Sequence, residues 1–496
     1  MRIPSQKFLD YFRGHDYWLT RCVFQRGLAL VYLIAFLIAL NQFVPLLGER
    51  GILPVANFVK DVSFSDSPSL FFFFPKDWAF KLASWLGIAL SLFALSGISE
   101  KRGWLVSALV WGAMWLLYIS FVNVGQTFYG FGWETMLLEA GVLAVFLGDE
   151  KTAPSLIVIF IIRWMLFRTM FGAGLIKMRG DSCWKDLTCL YYHYETQPMP
   201  NPLSWYFNWF PKPFHQFEVL FNHFTELIVP FAYFATPAIA AIAGLITLFF
   251  HGWLMVSGNF SFLGLLTMVL ATSTLNDKLL GKILRIAPPT PLQFPRYFQY
   301  TVFALAVAVG YLSIRPVQNL ISPSQAMNTS YDSLHLVNSY GAFGTITRPR
   351  YEVIVEGTDE AAISPQTQWR EYEFRGKPGN IYHSPPQIAP YHLRLDWLMW
   401  FAGFTPYWQE PWFVNFMAKL LQNDPNTLSL VYQNPFPNRP PKYVRALLYE
   451  YHFTTPEQRR TTGAWWNREL KGNYFPVVSL DDPVFKRILE REGWLP

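Results

Sequence analysis

The chain has 496 residues, of which 52% are hydrophobic types and only 15% are charged, and its mean hydropathy is +0.18. A water-soluble globular chain is roughly 25% charged, so much of this one faces something other than water. The net charge is +6, yet residues 316–496 hold 17 Lys and Arg against 17 Asp and Glu; the excess lies wholly before them, where basic residues beside apolar runs act as topology signals rather than as a nucleic-acid footprint.

A membrane-crossing helix needs roughly 17–25 mostly apolar residues. Nine segments are expected to cross: 22–46, 78–96, 103–122, 133–148, 154–176, 217–235, 237–256, 260–275 and 297–315. The fourth and eighth are short and also fit a tilted or re-entrant element. The first opens at Cys22, follows a charged leader, and is long enough to stay as a span, so no cleavable signal peptide is expected. Short-loop basic residues occur in the leader (Arg2, Lys7, Arg13, Arg21), in the second loop (Lys101, Arg102) and in the eighth (Lys278, Lys282, Arg285, Arg296). With nine spans these all fall in the cytoplasm. The loop of Cys183 and Cys189 and the C-terminal part then lie outside, in periplasm or lumen. One span more or fewer would reverse the C-terminal part.

The expected fold is a polytopic α-helical membrane bundle of about nine spans over 1–315. A polar linker follows at 316–336, then a soluble extracytoplasmic domain at 337–496 of α+β or β-sandwich-like type. Alternation at 351–356 and 369–374 predicts half-buried antiparallel strands. Helical spacing runs over 393–401 and 412–421, and 443–453 suits either strand or helix.

The fifth span carries Arg163 and Arg168. Charge inside a membrane is costly and faces protein or water. Glu134, Glu139 and Glu226 are the expected counter-charges, either as a structural ion-pair network or as the lining of a polar cavity. Lys177 ends the same span. It reads as a snorkelling interfacial lysine, or as a desolvated base with Arg163 and Arg168 nearby. His223 and Glu226 lie three apart beside Asn222, which predicts a hydrogen-bonded pair before a proton relay; two ligands do not make a metal site. No metal is expected and no cofactor can be named. His251 is expected to be a satisfied core histidine.

The loop holding Cys183, Trp184 and Cys189, and then Tyr191, Tyr192, His193 and Tyr194, is too aromatic for a simple connection. It reads as a disulfide-closed lid, a docking surface for a client, or the wall of a site. Its C-x5-C spacing lacks the tight C-x-x-C redox geometry. In the outer domain, Gly341, Gly344 and the proline-rich 434–441 match no phosphate loop or nucleophile elbow.

The segments 129–134, 171–181, 189–202 and 221–226, with 340–344, 350–352, 390–392 and 394–397 in the outer domain, carry a resemblance. Over most of its length the chain resembles the lipase maturation factor family. That resemblance implies a membrane protein that helps dimeric lipases fold and assemble, in the endoplasmic reticulum for the family's animal members. The chain ends without a retention tail of the Lys-Asp-Glu-Leu type, which leaves room for a bacterial inner-membrane relative acting on another exported client. A shorter segment, 173–177 followed by Trp184, resembles the surroundings of the catalytic lysine in the vitamin K-dependent gamma-glutamyl carboxylase. It implies Lys177 as a base and a lipid-soluble quinol as co-substrate; Arg179 and the Cys183/Cys189 pair depart from that pattern.

Two functions from different classes follow. The first, favoured by the longer match, is a folding or assembly factor for secreted lipases or related exported proteins. The second is an integral membrane enzyme whose site among the fourth to sixth spans is lined by Glu134, Glu139, Arg163, Arg168, Lys177, His223 and Glu226. A transporter is disfavoured by the large outer domain and the lack of inverted halves.

Overall fold

The described residues, 12–289 and 292–494 of a computed structural model, are mostly helical, with one small sheet toward the C-terminus. Arg2 and Lys7 of the leader lie outside them. In chain order the principal helices of the first part are α1 (Trp18–Leu47), α2 (Asp77–Leu95), α3 (Trp104–Val124), α4 (Gly132–Val145), α5 (Leu156–Arg179), α6 (Lys212–His223), α7 (Pro237–Ser257), α8 (Leu263–Ala271) and α9 (Arg296–Leu312). Six are long and apolar enough to cross a membrane: α1, α2, α3, α5, α7, and α9 with its continuation to Ile321.

The other three expected spans are shorter. Helix α4 has 14 residues, and α8 extends only to Thr274. Helix α6 runs into a π-helical turn at Phe224–Ile228 before Val229–Ala232. Pro230, in that last segment, has no N–H with which to continue a regular helical ladder.

The loops gather at two ends. At one end the Trp18 amide donates to Asp277 (2.9 Å), Arg26 pairs with Glu100 (3.2 Å), and the Ala153 amide donates to the Gln293 carbonyl (2.8 Å). At the other, Gln126 Nε2 donates to the Leu53 carbonyl (2.9 Å) and Asn259 Nδ2 to the carbonyls of Pro200 (3.1 Å) and Pro386 (2.9 Å). The loops bearing Lys101, Arg102, Lys278 and Lys282 belong to the first end, and the sheet region docks on the second.

The C-terminal part contains β1 (Arg350–Thr358), β2 (Arg370–Glu371), α10 (Arg394–Ala402), α11 (Pro411–Leu421), β3 (Tyr443–Phe453), β4 (Trp466–Val478) and α12 (Pro483–Arg491). The strands pair antiparallel in the order β2-β1-β3-β4. Strand alternation sends Val353 and Val355 into the main core and Ile354 into a second cluster with Trp205, Tyr451, Phe453 and Trp466. The ambiguous 443–453 is a strand. Of 369–374 only Arg370 and Glu371 form strand. The edge strand β4 has no clear alternation in the sequence, because it is largely solvent-exposed and carries many polar residues.

One hydrophobic cluster continues from the bundle into the C-terminal part. Gln42 Nε2 donates to the His392 carbonyl (2.6 Å), the Arg394 amide to Gln42 Oε1 (3.0 Å), and Asn415 Nδ2 to the Ile52 carbonyl (2.6 Å). The stretch 316–336 is partly helical, at Ile314–Ile321. It is tied down further along: His335 Nε2 lies 2.7 Å from Asn123 Oδ1, and Asn123 Nδ2 donates to the Ser333 carbonyl (3.1 Å).

Candidate functional site

A cavity of about 680 Å³ lies where the ends of α5 and α6 meet α7, α8 and the docked residues 397–401. Its walls are mostly apolar: Met136, Met170 and Ala173 on one side, Phe217, Phe221, Phe249 and Leu254 on another, Trp397, Trp400 and Phe401 across the top. A volume in the range of roughly 300–1,000 Å³, apolar walls and a few converging polar groups are the usual features of a small-molecule site.

Lys177, on the last turn of α5, supplies the polar centre. Its ammonium donates to Glu226 Oε1 (2.5 Å) and Asn222 Oδ1 (3.0 Å), and Asn222 Nδ2 donates to Glu226 Oε2 (3.0 Å). The ammonium also lies 5.0 Å from the centre of the Trp184 ring. All three polar side chains are buried. A lone buried charge would be prohibitive; the ion pair and its hydrogen bonds make burial tolerable. Lys177 therefore points inward rather than to a membrane surface, and two of its three protons are already donated.

His223 does not join this group. Its Nε2 lies 2.9 Å from the Trp184 carbonyl, and it is absent from the cavity wall. The π-helical turn that begins after His223 changes which residues share a face. Asn222 and Glu226, four apart, face Lys177 together, and the expected His223–Glu226 contact is replaced.

The other charges that the sequence singles out, Glu134, Glu139, Arg163 and Arg168, lie behind the walls, not in the cavity. Glu139 binds Arg168 and also accepts from Tyr340 Oη (2.7 Å) and the Asn338 amide (3.1 Å). Glu134 takes Arg394 as partner (2.8 Å), from the C-terminal part, with Trp133 Nε1 donating (3.0 Å). Arg163 has no carboxylate among the described residues. It donates to the carbonyls of Ser273 (2.9 Å) and Tyr233 (3.0 Å) and to Tyr17 Oη (3.1 Å). Chain separation hid these partners: Arg394 lies 260 residues from Glu134 in sequence, and backbone carbonyls leave no signature.

Cys183 and Cys189 are disulfide-bonded, with Cα atoms 4.8 Å apart. Asp181 caps the short helix that carries Cys183 and is paired to Arg348, which holds its carboxyl well below the usual range. Of the aromatic loop, Trp184, His193 and Tyr194 are buried and line the cavity, Tyr191 is half-buried, and Tyr192 is exposed. His193, in the helix Leu190–Thr196, stacks on Phe260 and meets Phe343 edge-on. Burial, aided by Lys177, lowers its imidazole to about 4. His251 Nε2 touches Met170 Sδ (3.3 Å), and its Nδ1 has no partner. No group of three or more His, Cys, Asp or Glu among the described residues is arranged to hold a metal ion.

Bundle, docked sheet and apolar cavity together define an integral membrane protein built around a chamber that holds one buried ion pair. The family model described as the lipase maturation factor transmembrane domain matches residues 19–282, and that of the lipase maturation factor C-terminal domain matches residues 336–476; the chain belongs to the lipase maturation factor family. Lipase maturation factor 1 of Homo sapiens is 42% identical to it, over 96% of this chain and 90% of the relative. The Mus musculus protein of that name is 41% identical with the same coverage. Lipase maturation factor 2 of Xenopus tropicalis is 29% identical over 96% of this chain and 84% of the relative. No solved structure matches. Nothing in these matches favours the carboxylase resemblance at Lys177.

Proposed function

We propose that this chain is a membrane-embedded maturation factor that assists the folding and assembly of secreted lipases. The observation that carries the reading is 42% identity with human lipase maturation factor 1 across 96% of the chain. The geometry is compatible with a scaffold: the C-terminal part is fixed to the bundle by buried polar contacts rather than swinging on a tether. In the aromatic loop, client contact falls to Tyr192 and the edge of Tyr191, since their neighbours Trp184, His193 and Tyr194 are buried.

The same reading gives nine crossings, with α4, the α6 segment and α8 as the short ones, and the division at 1–315, 316–336 and 337–496. The gathering of the basic loops at the end opposite the sheet supports a cytoplasmic N-terminus and an extracytoplasmic C-terminal domain, in the endoplasmic reticulum or a bacterial inner membrane. An engineered N-glycosylation site at the exposed helix end around Gly463 is then glycosylated in microsomes, and one beside Lys101 is not; the reverse pattern overturns the orientation.

The function is tested in cells deprived of their own lipase maturation factors and producing a secreted dimeric lipase. Expression of this chain is expected to restore active lipase in the medium. Failure, where the human relative succeeds in the same cells, overturns the proposal.

A further inference from the structure

Phe217 on α6 and Phe249 on α7 line the cavity, yet they are 59% and 64% exposed on the outside of the bundle. The cavity wall thus reaches the surface at the seam between these two helices. That surface is apolar: Leu220, Ile228, Ile242 and Leu245 beside the seam are exposed as well. Exposed apolar side chains on the helices of a membrane bundle face hydrocarbon. Two phenylalanine rings stand in that seam, between the cavity and the outside of the bundle.

Inside, hydrogen-bonding capacity is left over. His251 Nδ1 and Ser261 Oγ are buried, line the cavity and have no partner. A buried polar group left unpaired is costly, so both are places where a ligand's polar head gains. Ser261 can donate or accept, and an imidazole nitrogen can do either according to its tautomer; a head with both donors and acceptors suits them.

Charge selects further. Lys177 is already neutralised by Glu226, and Glu218 adds a second carboxylate to the wall, accepting from Tyr194 Oη (2.6 Å) and Trp253 Nε1 (3.0 Å). An anionic head would have to displace Glu226 while approaching Glu218. A neutral head meets no such opposition. The cavity volume of about 680 Å³ suits one drug-sized amphiphile.

We propose that this cavity binds a neutral single-chain membrane lipid whose head bears hydroxyl and carbonyl groups. It enters from the bilayer between α6 and α7. Its head lies among Lys177, Asn222, Glu226, His251 and Ser261, and its chain lies along Phe221 and Phe249.

The test uses the full chain in lipid nanodiscs with three photoreactive probes carrying the diazirine on an acyl chain: a monoacylglycerol, a fatty acid and a two-chain phosphatidylcholine. Labelled peptides are mapped by mass spectrometry. The monoacylglycerol is expected to label residues 217–221 or 249–264. Excess unlabelled monoacylglycerol should suppress that labelling at least tenfold. Ala173→Trp, which fills the cavity from α5, and Ala342→Trp, which fills it from the docked side, should do the same. The idea is overturned by labelling that unlabelled lipid does not suppress, by full labelling in either folded variant, by no labelling of the cavity peptides, or by labelling of equal strength with the fatty acid or the phosphatidylcholine. None of these readouts depends on a lipase client.

Discussion

In the bundle, Arg168, Lys177, Glu134, Glu139 and Glu226 are all buried, each held by an opposite charge. Around the outer strands of the sheet, charges are spent differently: Arg468 with Glu371, and Lys471 with Glu450 and Glu469, pair in partial contact with solvent. Where the two regions touch, buried charge reappears. Arg350 of β1 pairs with Glu352 (2.6 Å) and donates to the carbonyls of Glu195 (2.9 Å) and Pro198 (3.1 Å), while Arg394 reaches into the bundle for Glu134. The contrast teaches that buried ion pairs here mark seams. They fix pieces of the molecule in one relative position, a role such pairs fill better than simple stabilisation.

Breaking a seam should therefore cost most. Arg394→Met leaves Glu134 buried without a charge partner, a loss of about 3–5 kcal/mol, and should lower the yield of folded protein on size exclusion. The double change Glu134→Met with Arg394→Met should recover much of the loss, because it removes both charges together. A single variant no worse than the double would break the comparison.

The disulfide comes next. Opening the Cys183–Cys189 bridge, with its sequence separation of 6, by a double Cys→Ser change should cost about 2 kcal/mol on chain-entropy grounds. The readout is a lower melting temperature in detergent, with membrane insertion unchanged.

His193 gives a comparable effect that depends on pH. Its folded-state value of about 4 is below the unfolded value near 6.5. The unfolded chain therefore takes up the proton first on acidification. The contribution is intact above about 6.5 and is lost as pH falls through the interval down to 4, reaching roughly 2 kcal/mol by pH 5. The melting temperature should fall more steeply from pH 7 to pH 5 in the parent chain than in His193→Gln; parallel slopes would remove His193 from the account.

The smallest effect is expected at the surface. The Arg468–Glu371 pair is about a quarter exposed on each side, and a double-mutant cycle on it should return less than about 1 kcal/mol. A coupling as large as that of Glu134 and Arg394 would erase the distinction between the two regions.

The six long helices were readable because length and apolar composition suffice for them. The short α4 and α8 were readable as short, but the break in the α6 segment was not: a π-helical turn leaves no composition signal, and it is what moves His223 away from Glu226. The sequence marks Lys177 and Glu226 separately but not their pairing with each other, because Arg163 and Arg168 on the fifth span are equally available partners for Glu226. Arg394 was hidden by lying in what reads as a separate domain. A cavity is expected there as a polar one; its apolar walls are hidden, because Phe217 and Phe249, which line it, have the same composition as any lipid-facing wall. Strand β4 was hidden because an edge strand alternates weakly.

The most direct test of the central claim is the intact mass and specific activity of a secreted lipase made with and without this chain. An assembly factor predicts an unchanged mass and a higher specific activity in its presence. A discrete mass added to or removed from the lipase would contradict that account, and would make Lys177, the charged centre of the cavity, the first residue to change.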